Sequence, residues 1–398
     1  MVTEELAQAL EAHPRACAVV DIQALDDNLK AMRAGIPTQT RLCAVMKADA
    51  YGMGAAAIAS HLERRGSQAL WGYAVATTEE AMELRAAGIR RPILVLSYTF
   101  PQDYDRLLEE EIRLTVFRRD MLQELAQRVT RAQARGETWT ARVHVAVDCG
   151  MSRIGIRPDE EGIAFLQEVT KTPGLILEGI FSHFARADEA DLTDARNRFA
   201  QFTEFLERAV QACGLNRSEL ICHIANSAAT IAMPEAHLDM VRAGVSMYGM
   251  WPSEEVDRSR VAIRPVLSLY SHITMIKTIE PGTPVSYGGT FVADRLMRIA
   301  TIPVGYGDGY PRSLSNRGEV LIRGKRARIL GRVCMDQFMV DITELPEIRE
   351  GDRVTLIGRD DAEEITIEAL GAESGRFNYE LACDLNQRVP RVYLTGNN

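Results

Sequence analysis

The sequence predicts an α/β protein, a (β/α)8 TIM-type barrel followed by a mostly β C-terminal domain, and two observations carry that prediction. Eight short apolar runs alternate with amphipathic stretches along the first two-thirds of the 398 residues. After about Pro252 the long helical periods give way to β-branched runs separated by Gly and Pro turns. The eight runs cover residues 42–46, 71–75, 93–96, 114–117, 143–147, 175–181, 221–224 and 240–242. Helical patterns at 78–87, 119–135, 158–171 and 193–213 fill intervals between them, which makes repeated βα units. Eight units favour a closed barrel over an open doubly wound sheet, although the last interval is too short for a full helix. Downstream, runs at 266–276, 298–302, 319–322, 327–329, 338–342 and 353–356 read as strands, with one short helix at 365–371. The division expected is an N-terminal arm over 1–14, either a short helix or a flexible segment, a barrel over 15–252 and a β-rich domain over 253–398.

Composition narrows the function classes. With 46% hydrophobic and 25% charged residues the chain is that of an ordinary globular protein with a large core. A net charge of −9, without a basic run or zinc-finger spacing, argues against nucleic acid as a partner. No stretch approaches the length of a membrane span, so no membrane is expected, and residues 1–14 are acidic without the apolar core of a secretory signal. Seven scattered cysteines without a CxxC pair fit reduced thiols in a cytoplasmic enzyme, and no metal site is expected.

The most informative stretch is Ala44-Val45-Met46-Lys47-Ala48-Asp49-Ala50-Tyr51-Gly52, where an apolar run ends on one lysine and breaks into a small-residue turn. A lysine at the C-terminal end of a buried strand is desolvated, which lowers its pKa from about 10.4 and makes it nucleophile and base. It can then hold an aldehyde cofactor as an imine. The competing reading is a strand-end lysine that snorkels to solvent. The barrel itself offers a check, because catalytic residues belong just after the strands and phosphate belongs near strands seven and eight. Lys47 follows the first run, Asp148 and Arg153 the fifth, His183 the sixth, Asn226 and Ser227 the seventh, and Arg242 to Val245 the eighth. Ser227 can give a hydroxyl to a phosphate, and Gly244 lets backbone N–H groups come close. Each alone reads equally well as a packed structural residue.

Taken together, these blocks resemble the alanine racemase family. The stretch 45–54 is close to that family's usual AVVKANAYGHG, with Asp49 and Met53 departing from it. Matching blocks follow in order at 148–155 (DCGMSRIG), 182–188 (SHFARAD), 225–228 (ANSA), 241–245 (VRAGV), 285–290 (VSYGGT), 304–310 (VGYGDGY), 334–337 (CMDQ), 378–380 (NYE) and 388–391 (RVPR). The resemblance implies a fold-type III pyridoxal 5'-phosphate enzyme, active as a homodimer whose β domain completes the partner's site. It implies that Lys47 binds the cofactor and serves as base on one face of the substrate, and that Tyr287 from the other subunit serves the second face. His183 would contact Tyr287, and Arg242 would contact His183. Arg153 and the Met335 N–H would hold the substrate carboxylate, for which a guanidinium fork is suited. Tyr51, His183, Asn226, Ser227, Arg242, Gly244 and Val245 would bind the cofactor with Lys47, while Tyr306 and Asp336 line the entrance or support the site. Arg242 also bears on the reaction type. An arginine, with a pKa above about 12, does not readily protonate the pyridine nitrogen, so proton exchange is favoured over transamination or decarboxylation.

Two departures from the family pattern stand out. A lysine two residues before the Asp148 position, often carbamylated in the family, is Ala146 here, so Arg153 lacks an anionic neighbour that a bound chloride could replace. Gln387 stands where some members place a tyrosine against the phosphate, which could open the pocket to serine. The expectation is racemisation of alanine for peptidoglycan synthesis. The alternatives are a serine or dual alanine and serine racemase, a barrel decarboxylase, and a non-catalytic pyridoxal-phosphate-binding protein. The GYGDG run lacks the GxGxxG spacing of a nucleotide loop.

Overall fold

The computed structural model describes residues 4–66 and 70–396. Eight parallel strands form one sheet: β2 (Arg41–Val45), β3 (Leu70–Val75), β4 (Ile93–Val95), β5 (Arg113–Val116), β6 (Ala141–Ala146), β7 (Leu175–Phe181), β8 (Ile221–His223) and β9 (Met240–Ala243). Neighbours in the chain are neighbours in space, and β9 returns to pair with β2 in register Arg41 to Met240 through Ala44 to Ala243. The two ends of the sheet, β8 and β9, meet through hydrogen bonds from Asp239 N–H to the Cys222 carbonyl (3.1 Å) and from Arg242 N–H to the Ala225 carbonyl (3.1 Å), which nearly closes the barrel. All eight expected runs are strands. They are recognisable because a strand covered on both faces must be almost continuously apolar. The short last interval holds a six-residue helix, Ser227–Ala232, and a single 3-10 turn.

The helices follow their sequence signals. Thr78–Ala86 starts with a capping box, Thr77 accepting from Glu80 N–H while the Glu80 carboxylate accepts from Thr77 N–H. Thr193–Cys213 ends on Gly214 in the left-handed region, where glycine carries no Cβ penalty. Among the described residues no helix is long and apolar enough to cross a membrane.

The second domain is a ten-stranded sheet in the order β11 (Met275–Ile279), β14 (Met297–Ile302), β17 (Phe338–Asp341), β16 (Lys325–Leu330), β15 (Glu319–Ile322), β18 (Arg353–Asp360), β10 (Leu267–His272), β1 (Ala16–Asp21) and β20 (Arg391–Leu394). Strand β19 (Glu363–Ile365) joins at β18, and β12 (Pro284–Val285) with β13 (Phe291–Val292) makes a separate hairpin. The expected run at 266–276 is two strands, broken after His272. The helix expected at 365–371 runs Ile367–Ser374, and a second, unforeseen helix spans Asn378–Asp384. The start of the barrel needs correction. Strand β1, placed by sequence in the 15–252 unit, belongs to the C-terminal sheet, antiparallel to β10 and parallel to β20. Its buried run Cys17 to Val20 is indistinguishable by pattern from a barrel strand, and only distant partners decide its sheet. Of the N-terminal arm, Glu4–Ala12 is a helix that buries Ala9 and Leu10 against β1.

Candidate active site

Where the strands end, Lys47, Ala146, Arg153, His183 and Arg242 share the lining of one cavity of about 200 Å³. Lys47 follows β2 after a single residue, Met46. Burial lowers its pKa below the ordinary lysine value, and the nearby Arg153 charge lowers it further. The desolvated lysine expected from the sequence is therefore present.

The chain then does something expensive. Ala48, Asp49, Ala50 and Tyr51 all lie in the left-handed region, with φ between 52° and 55°. Each such non-glycine residue costs about 1–2 kcal/mol, so surrounding contacts must hold the turn. The Glu80 carboxylate accepts from Ala48 N–H (2.6 Å) and from Ala76 N–H (2.7 Å), tying the turn to the next βα unit. Asp49 accepts from Ala55 N–H (2.6 Å), Arg391 donates to the Gly52 carbonyl (2.9 Å), and Tyr393 donates to the Met53 carbonyl (3.1 Å). A Cβ on Gly52 would lie 2.0 Å from the Ala382 carbonyl oxygen, so the C-terminal domain presses on this turn directly.

The turn brings Tyr51 beside the end of β9. Gly244 N–H donates to Ser227 Oγ (2.9 Å), and a Cβ built on Gly244 would stand 2.8 Å from Tyr51 Oη and 3.5 Å from Ser227 Oγ. Two hydroxyls thus converge on a backbone that only glycine leaves open. Ser246, fully buried, has a hydroxyl without a hydrogen-bond partner among the described residues. Asn226 caps the helix at Ser227, accepting from Ala229 N–H (3.0 Å), and Val245 begins the next 3-10 turn. This cradle suits the oxygens of a phosphate.

On the other side, Arg242 is buried, and its Nη2 donates to His183 Nδ1 and to the carbonyls of Ser182 and Ile224, all at 3.0 Å. Burial lowers its pKa, but only to about 10, so it remains a cation near neutrality. Burial and the Arg242 charge push His183 well below the usual histidine range, which keeps that ring neutral. The expected contact between His183 and Arg242 is present. Arg153 has no ion-pair partner among the described residues, and Ala146 lies in the same cavity wall. Asp148 turns away from it and accepts from Gly150 and Ser152 N–H, each at 2.9 Å.

Five expected residues lie on the C-terminal domain, outside both this cavity and the cradle beside it. Tyr287, Met335 and Tyr306 are 72%, 52% and 43% exposed. They nevertheless belong to one patch of the C-terminal domain: Tyr306 N–H donates to the Cys334 carbonyl (3.0 Å), Gly307 N–H to the Met335 carbonyl (2.9 Å), and Ser286 Oγ lies 3.3 Å from Cys334 Sγ. Asp336 pairs with Arg388 (2.6 Å), and Gln387 is exposed. The GYGDG run closes on itself, with Asp308 buried between Arg15 and Arg388. Among the described residues no cluster of His, Cys, Asp and Glu is arranged to hold a metal.

The alanine racemase N-terminal domain family matches residues 20–252 and the alanine racemase C-terminal domain family matches 266–393. The chain belongs to the alanine racemase family. It is 42% identical to the alanine racemase of Desulforamulus reducens, over 95% of this chain and 98% of that one, and 38% identical to that of Methanococcus maripaludis over 95% and 98%. Among solved structures, the alanine racemase of Clostridium difficile 630 superposes with a TM-score of 0.89 at 37% identity, covering 96% of each chain. That of Bacillus anthracis with bound L-Ala-P gives 0.87 at 36% identity, again over 96% of each. The alanine racemases are isomerases, and relatives that all carry this name do not favour the serine alternative.

Sequence reading missed Glu80 and Tyr248. Tyr248 donates to the Val45 carbonyl (2.9 Å) and packs its ring 5.2 Å from that of Tyr51. Glu80 had a signal, but the capping box explains it fully without the second bond to Ala48.

Proposed function

We propose that this chain interconverts L- and D-alanine with pyridoxal 5'-phosphate bound at the barrel mouth and a second copy of the chain completing each site. One observation carries the reading: a desolvated lysine on a pinned turn shares a cavity with the guanidinium of Arg153, which has no ion-pair partner among the described residues, beside a cradle of hydroxyls and a glycine. Lys47, Tyr51, Ser227, Gly244 and Val245 would hold the cofactor, with Asn226 fixing the helix that carries Ser227. When bound, the cofactor withdraws the electron pair left on the α-carbon as its proton departs. Arg153 fixes the substrate carboxylate, joined by the Met335 N–H of the second subunit. Lys47 Nζ, partly desolvated, is uncharged at a lower pH than an exposed lysine and so takes or returns the α-proton on one face. Tyr287 Oη of the second subunit does so on the other face. His183 stays neutral because burial and the Arg242 charge oppose its protonation, and Arg242 occupies Nδ1, so its remaining N–H at Nε2 can steady the tyrosine oxygen. Arg242, a cation that keeps its protons, disfavours transamination. The exposure of Tyr287, Tyr306 and Met335 on one patch supports a shared site. The product would feed peptidoglycan synthesis in the cytoplasm.

The test is to incubate the purified protein with pyridoxal phosphate and single L-amino acids, then resolve the enantiomers by chiral chromatography. D-alanine should form, and form faster than D-serine from L-serine. No D-alanine from cofactor-loaded protein would refute the assignment.

A further inference from the structure

Behind the cavity, the barrel interior holds polar groups that the reaction above does not use. Arg242 Nη1 lies 2.7 Å from His223 Nδ1, His223 Nε2 lies 3.0 Å from His144 Nδ1, and His144 Nε2 lies 3.2 Å from Glu178 Oε2. Glu178 in turn meets Arg113 (3.2 Å) and Arg142 (3.6 Å), which sit at the N-terminal ends of β5 and β6. The chain of contacts therefore crosses the barrel from its mouth toward its floor. Both imidazoles are fully buried.

This arrangement is built in. The register of β6 with β7 pairs Val143 with Leu177 and His144 with Gly179, so Glu178 is the extra residue of a bulge, a device that redirects a side chain. A Cβ on Gly179 would stand 2.5 Å from His144 Nδ1, so only glycine there makes room for the ring. Phe181 stacks on His223 at 5.0 Å, with the ring planes 5° apart, and fixes the second imidazole.

Chemistry allows one order of protons along the chain. A guanidinium only donates, so His223 Nδ1 must accept, and the proton of that neutral ring sits on Nε2. That proton can be given only to His144 Nδ1, which leaves the His144 proton on Nε2, facing the Glu178 carboxylate. A carboxylate only accepts, so the order closes there. The other arm of Arg242 imposes the same tautomer on His183. If the last acceptor is removed, the His144 Nε2–H is left buried and unpaired, and its one escape, shifting that proton to Nδ1, sets it against the His223 Nε2–H and passes the conflict toward Arg242.

We propose that Glu178 and His144 are positioning residues for the racemisation: they end a one-way hydrogen-bond chain that holds Arg242, and through it presents His183 Nε2–H to the reaction cavity. This rests on the racemase reading for its consequence, but the proton order can be read without catalysis. Nitrogen-15 NMR of the cofactor-loaded protein with labelled histidine, assigned by single His→Gln substitutions, should show His144, His183 and His223 neutral with the proton on Nε2 from about pH 6 to about pH 9. Glu178→Gln keeps an acceptor and should preserve all three tautomers and most of kcat. Glu178→Leu should disturb the His144 and His223 tautomers and lower kcat about tenfold, the rate equivalent of one lost buried hydrogen bond, with KM within about twofold. A merely structural ion pair with Arg113 would be damaged by both substitutions alike. The proposal is overturned if any of the three rings carries its proton on Nδ1 or is charged in the parent protein, or if the glutamine variant shifts the tautomers and kcat as the leucine variant does. Should the leucine variant fail to fold, the parent and glutamine spectra still decide. Ordered tautomers in a protein that racemises nothing would instead locate the failure in the functional reading.

Discussion

Replacing Gly244 with alanine adds one methyl group where the structure has no room for it. Its Cβ would sit 2.8 Å from Tyr51 Oη, well inside ordinary contact distance, and 3.5 Å from Ser227 Oγ. Tyr51 cannot easily withdraw, because its ring is buried against Tyr248 at 5.2 Å and Tyr379 at 6.3 Å, and its backbone is held in the pinned left-handed turn. The hydroxyl must then swing out of the cradle. If it is one of the donors to the cofactor phosphate, a hydrogen bond to a charged group is lost, worth about 1.5–3 kcal/mol. At about 1.4 kcal/mol per decade, pyridoxal phosphate should bind about 10- to 150-fold more weakly. The assay is an absorbance titration of the apo-protein with pyridoxal phosphate, with the melting temperature of parent and variant as a control on folding. Affinity within twofold of the parent, in a variant that melts normally, would refute the phosphate assignment.

Three further outcomes follow from the same geometry. Tyr287→Phe should bind cofactor normally but lose α-proton exchange from one alanine enantiomer far more than from the other, as measured by deuterium wash-out. At constant ionic strength the KM for alanine should depend on chloride, because Arg153 has no anionic partner among the described residues, and Ala146→Lys should weaken that dependence; identical kinetics in chloride and acetate buffers would remove the idea. Inactive Lys47→Ala and Tyr287→Phe chains, once mixed and exchanged, should recover roughly a quarter of parent activity, since about half the dimers are mixed and each carries one intact site. Exchange confirmed by mass spectrometry without recovered activity would mean that both residues act within one chain.

The barrel was legible because covering a parallel strand on both faces leaves a nearly unbroken apolar run, and Lys47, Arg153, His183 and Arg242 were legible because they follow such runs or, for Arg242, close one. What stayed hidden depended on partners far away in the chain. Strand β1 reads like any buried strand until β10 and β20 are placed beside it. Glu80 reads as a helix cap, and its grip on Ala48 reaches across 32 residues to the turn after Lys47. His144 and Glu178 sit inside strands, and only a bulge, which leaves no mark in local composition, turns the carboxylate toward the ring. Tyr287 was legible by resemblance alone, since within one chain it is an exposed side chain far along the sequence from the barrel residues.

The membership of β1 in the far sheet has a consequence for synthesis. Strand β1 leaves the ribosome well before residues 267–272, with which it pairs, and longer still before residues 391–394. The barrel that lies between can assemble while β1 waits without its ladder, an unpaired apolar edge of the kind that aggregates or recruits holdase chaperones. A barrel expressed by cutting the chain after residue 252 would keep that edge for good, whereas a circular permutant that moves residues 1–21 behind 396 would let the C-terminal sheet close from contiguous sequence.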